Sequence, residues 1–169
     1  MKRLTTMFLL IAFLVPLAAS PANADLLRAT GVMTASKGWT VTLTIPNVTM
    51  RTGTSMPATL TIVNKTGHSV SVSGCAVDGT FEVGIGNAKV PFSPFDGLVA
   101  CSTRLHVGTN VFHERIYATY QSCGGGKGQP KCALTPPKLP TGVYRTVVGW
   151  RLGVPFIAKP GFLFVTVTK

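Results

Sequence analysis

Apolar and polar side chains alternate along this chain in short runs, and helical spacing of apolar residues is nowhere sustained. Trp39, Val41, Leu43 and Ile45 fall on one face of an extended segment, with Thr40, Thr42 and Thr44 on the other. Ala58, Leu60 and Ile62 repeat the pattern against Thr59 and Thr61. Val70 and Val72 alternate with serines, and Phe81, Val83 and Ile85 follow. Successive strand side chains point to opposite faces, so each run buries one face and wets the other. The branched residues that recur here pack well on a pleated surface and lose rotamers in a helix. Turn residues punctuate the runs: Asn64-Lys65-Thr66-Gly67, Asp78-Gly79, Asp96-Gly97 and Pro140-Thr141-Gly142. Further strands are predicted over 102–107, 111–121, 143–150 and 162–168, with Gly108-Thr109 as the turn between the first two. The last strand is apolar on both faces, with Phe162 and Phe164 on one and Leu163, Val165 and Val167 on the other, so it is expected either to be central and covered, the preferred reading, or to join a partner. Seven to nine short strands in one domain predict an all-β fold, a two-sheet antiparallel sandwich ahead of a barrel.

The first 24 residues stand apart from this pattern. Lys2 and Arg3 precede an apolar run over 7–15, Pro16 breaks it, and Ala22-Asn23-Ala24 ends it. A basic start, a short apolar run and a small-x-small site form the layout of a secretory signal peptide. The run is too short to span a bilayer. Cleavage after Ala24 leaves a domain over 25–169 and removes two cations, so the net charge of +11 becomes +9. The domain is long enough to enclose a core of its own. The expected location is outside the cell or in the periplasm and cell envelope, with no transmembrane segment after processing.

Four cysteines follow the leader: Cys75, Cys101, Cys123 and Cys132. An even count behind an export signal predicts two disulfides, with three possible connectivities. Sequential pairing is favoured, because Cys123 and Cys132 flank the glycine-rich 124–128 segment while Cys75 and Cys101 bracket the Phe81 strand. Loop closure then gives about 3.5 kcal/mol for the Cys75–Cys101 bridge and about 2.7 kcal/mol for Cys123–Cys132. A four-thiolate zinc site would show closer cysteine pairs.

Little in the chain points to catalysis. His106 and His113 lie in segments predicted to be neighbouring strands and are the only pair with a chance of sharing a metal, while His68 adjoins a turn. No Gly-x-Ser-x-Gly elbow occurs, only five acids are present, and 124–128 lacks the phosphate-loop pattern. Hence no enzyme activity, no cofactor and no metal are expected. Asn47-Val48-Thr49 and Asn64-Lys65-Thr66 match the glycosylation acceptor pattern; the short leader and compact domain resemble those of bacterial proteins, so both matches are taken as coincidental.

The charge is the least ordinary property. Lys127, Lys131 and Lys138 cluster in or just after the glycine-rich loop and form the candidate binding loop. Arg104, Arg115, Arg145 and Arg151 lie in or beside predicted strands. Such a chain is drawn to anionic surfaces by long-range attraction. The partners expected are a protein or an anionic envelope polymer. No aromatic stripe interleaves the basic residues, so specific nucleic-acid binding is not expected.

The segment Ala58-Thr59-Leu60-Thr61-Ile62-Val63-Asn64, followed by a polar turn and Val70, resembles the early strands of bacterial secreted immunoglobulin-like domains, where an apolar strand ending in Asn passes into a short hairpin. Leu139-Pro140-Thr141-Gly142-Val143-Tyr144 is similar to the apolar-Pro-x-Gly-x-Tyr lead into their penultimate strand, which proteinase-inhibitor-like bacterial domains share. In that setting the Tyr144 ring is buried and its hydroxyl bonds a nearby backbone group, as in a tyrosine corner. The resemblance covers roughly 56–169. It implies an immunoglobulin-like sandwich serving as a non-catalytic binding or structural module, with proteinase inhibition as the alternative. The antibody arrangement of a tryptophan between two cysteines is absent, since Trp39 precedes and Trp150 follows all four.

Overall fold

The computed structural model describes residues 29–34, 38–73, 81–92, 102–121, 130–131, 133–150 and 163–169. Ten strands and no helix occur among them: β1 (Ala29–Thr34), β2 (Trp39–Ile45), β3 (Thr49–Arg51), β4 (Ser55–Asn64), β5 (Val70–Ser73), β6 (Phe81–Gly86), β7 (Ser102–Leu105), β8 (Gly108–Tyr117), β9 (Gly142–Trp150) and β10 (Phe164–Thr168). They form one four-stranded sheet of order β1-β2-β4-β8, a second of order β3-β10-β9-β6, and a two-stranded β5-β7 ribbon. Pairing is antiparallel except between β10 and β3. The four cysteines and the signal-peptide segment lie outside the described residues.

The two larger sheets close on one another over a shared core. Val41, Leu43 and Ile45 of β2 and Leu60 and Ile62 of β4 are fully buried, and so are Phe81 of β6, Val165 and Val167 of β10. Their polar alternates face out, as the alternation predicts. Leu43 lies opposite Leu60, and Leu60 opposite Phe112, so the inward row runs across three strands. The seam between the sheets is closed on one side by Phe81 and Phe112, whose rings stand 4.9 Å apart at 58°. Tilted aromatic pairs of this kind are favourable beyond their buried area. Thr146 is the polar residue in the middle of β9. It is buried without cost because its hydroxyl donates to the Leu163 carbonyl at 3.1 Å.

Three local expectations change. Strand β4 begins three residues earlier than Ala58 and includes Pro57. That is tolerated because β2 pairs with β4 only as far as Thr59, so the proline nitrogen faces a side with no described ladder. The segments around Gly67 do not form a hairpin: β4 pairs with β2 and β8, while β5 crosses to β7. Likewise Gly108 and Thr109 belong to β8, and β7 and β8 are not paired.

Asn64 supplies the physical reason for the first break. It is 1 % exposed at the end of β4. Its Oδ1 accepts from the Thr66 amide and hydroxyl, and its Nδ2 donates to the carbonyls of His68 and Leu105. One side chain therefore turns the chain at Gly67, which sits at φ 84°, and ties that turn to β7. An asparagine so engaged is a poor glycan acceptor.

Candidate functional site

The outward face of the β3-β10-β9-β6 sheet is built differently from that of its partner sheet. Strand β6 carries Gly84 and Gly86 where polar outward residues usually stand. A Cβ on Gly84 would lie 1.9 Å from the Phe92 ring, and one on Gly86 would lie 2.5 Å from the Phe92 nitrogen. The two glycines are thus the floor on which the chain folds back. Asn87 holds that fold. Its Oδ1 accepts from the amides of Lys89 and Val90, and its Nδ2 donates to the Val143 carbonyl on the neighbouring strand.

Arg145 occupies the middle of the face. It lies opposite Gly86 on one side and Phe164 on the other. Its guanidinium carbon stands 5.7 Å from the centre of the Phe164 ring, within cation–π range. Val143 and Val147 flank it on β9. Together with Ala88, Pro91 and Phe92 these residues line an open groove of about 490 Å³. That volume lies in the range of small-ligand clefts. Val143 is 58 % exposed and Phe164 48 %. Strand β10 is central, as its composition predicts, but only its Val165 and Val167 face is covered; the Phe164 face is open among the described residues, and Phe162 lies outside them.

Behind the groove, on the inward face of β9, Tyr144 is buried, and its hydroxyl donates to the Pro140 carbonyl at 2.7 Å. This is the tyrosine-corner contact expected from the Leu139–Tyr144 motif. Burial pushes the Tyr144 phenol above its ordinary value, with Tyr120 adding to the rise and the Asn87 side chain working against it.

The structure does not gather the residues singled out for chemistry. Lys127 lies outside the described residues, and Lys131 and Lys138 are exposed and line no part of the groove. The Lys138 stem lies over Gly53, where an added Cβ would come within 2.9 Å of it. His106 is exposed just after β7, His113 is exposed in the middle of β8 opposite Thr59, and the pairing expected between their segments does not occur: His106 sits in the corner closed by Asn110, which accepts from its amide and donates to its carbonyl. Among the described residues no cluster of three metal-ligating side chains is found, and no helix is long and apolar enough to cross a membrane. The two-faced apolar pattern marked β10, and the glycines two apart in β6 are the signal that could have marked the rest of the groove. Phe92 gave no signal, because its role depends on a fold-back that crosses the sheet. Compared with known protein families, curated proteins and solved structures, the chain matches none.

Proposed function

We propose that the protein is an exported, non-catalytic binding module of immunoglobulin-like sandwich architecture, which holds its partner in the groove on the outer face of β6, β9 and β10. The observation that carries this reading is the lining: apolar side chains around one guanidinium. Arginine stays protonated in proteins and cannot act as a base at neutral pH. The Asn87 amide is spent on the turn it holds. Such a surface binds and orients without acid, base or nucleophile. It suits an anionic group carried on an apolar body, presented by an envelope component or by a protein partner. The basic start, apolar run and small-residue site at the N-terminus support export.

The test is recovery of partners from the native envelope by the protein produced from its full sequence, washed at low and then high salt. Retention of one partner through high salt by the parent protein, lost in Phe164→Ser and weakened in Arg145→Gln, supports the groove. Retention unchanged in both variants removes the groove from the reading. If everything elutes as salt rises, the attraction is charge alone.

A further inference from the structure

Among the described residues, the other sheet ends in a strand paired on one side. β8 closes the order β1-β2-β4-β8 and is paired along its full length with β4, from Gly108 opposite Asn64 to Tyr117 opposite Ser55. Among the described residues nothing pairs with its other side. The Ala118 amide donates to the Thr54 carbonyl at 2.8 Å. In an antiparallel ladder the bonded positions recur every second residue. The even-numbered amides of β8 therefore face β4, and those of Thr109, Val111, His113, Arg115 and Tyr117 face away from it. The side chains of these same five residues are exposed on the outer face of the sheet.

Long edges are usually blunted by a proline, a bulge or charge. β8 has no proline, and its register with β4 is unbroken, so it has no bulge. Its protection is His113 and Arg115, between Val111 and Tyr117, which are 51 % and 44 % exposed. Arg115 is held over the sheet by Ser55, whose Oγ accepts from Nη2 at 2.7 Å and Nε at 3.3 Å. Glu114 points between the sheets and is half-buried. The outward row thus carries the Arg115 cation and the His113 ring between apolar ends. Two copies of so basic a chain would bring their cations together along the seam, whereas an acidic strand would complement them. Directly opposed side chains on paired strands approach to about 5 Å, close enough for the charges to decide.

We propose that the free edge of β8 is a strand-addition site for an extended, acidic segment of a partner protein, with carboxylates opposite His113 and Arg115 and apolar residues over Val111 and Tyr117. Backbone bonds supply the contact, and side-chain charge selects the partner. This site is on the opposite sheet from the groove and does not depend on it.

The experiment uses the full chain and three end-capped peptides of ten residues. One alternates Glu with Val, one replaces each Glu with Lys, and one repeats the acidic peptide with alternate backbone amides methylated. Hydrogen exchange is followed residue by residue. The expected result is at least tenfold slowing at the Val111, His113 and Arg115 amides with the acidic peptide, and none with the other two. Arg115→Glu should weaken the acidic peptide at least tenfold and admit the Lys peptide. Equal binding of the methylated peptide would show attraction by charge without strand addition and overturn the proposal. So would unchanged exchange at the three amides, or slowing that appears without peptide as protein concentration rises, which would make a second copy the occupant. The peptide comparison needs no variant, so it stands even where Arg115→Glu fails to fold.

Discussion

Tyr144 and Asn64 show how single polar groups inside an all-β core are made affordable to the fold. The Tyr144 phenol is held neutral by burial, and its folded pKa is raised above 10.0. Below that pH both folded and unfolded states carry a neutral phenol, and the contribution is fully present. As pH rises past 10.0 the unfolded chain ionises first, so stability falls until the folded pKa is also passed. Urea unfolding should therefore show an alkaline loss of stability that is smaller in Tyr144→Phe. That variant should cost about 1 kcal/mol at neutral pH through the lost bond to Pro140. Asn64→Ala should cost more, about 2–3 kcal/mol, because it leaves the buried Leu105 carbonyl and the half-buried Thr66 amide short of partners. Equal unfolding midpoints for Asn64→Ala and the parent protein would refute that account. The Tyr144 contact was legible in the Leu139–Tyr144 motif. The Asn64 network was not, since its partner Leu105 is 41 residues away.

Strands β2 and β4 follow the alternation closely, because a half-buried strand writes its two faces into the sequence, whereas β6 is covered on both faces and β9 carries Thr146 inward and Val143 outward. β1 and β3 escaped it. β3 has three residues, too few for a period, and exists through its pairing with β10. β1 includes Gly31, where an added Cβ would lie 3.1 Å from that of Leu163, so tertiary crowding removed the side chain that would have marked the strand. The two faces of β10 give a direct comparison. Val165→Thr places a hydroxyl in the core and should cost about 2 kcal/mol, whereas Phe164→Thr, on the open face, should cost less than about 1 kcal/mol. Calorimetry on the pair would read this, and equal losses would mean that the Phe164 face is covered. Gly84→Ala should destabilise by about 1–3 kcal/mol, because Phe92 must leave the floor of the groove. Gly67→Ala serves as the contrast, for there the cost is backbone strain with no neighbour within 4 Å.

At the scale of the molecule, the expectations concern net charge and the four cysteines. A net charge of +11 in the full chain against five acids means self-repulsion, which salt screens. Melting temperature should rise between low and moderate salt, and a flat or falling profile would show that the cations are already locally compensated. Mass mapping without reductant should find Cys75, Cys101, Cys123 and Cys132 in two bridges. Four free thiols would end the disulfide expectation.

The sequence by itself determined the all-β character, the inward rows of the main strands, the tyrosine corner and the central place of β10. These follow from local periodicity and turn chemistry, which the chain carries within a few residues. The tertiary structure alone decided which strands pair, why β4 and β5 separate at Asn64, and that Arg145 comes to lie between Gly86 and Phe164. It also decided that Phe92 folds onto two glycines and that β8 ends its sheet. Each of these joins residues far apart in the chain, and long-range pairing leaves no period along the sequence to be read.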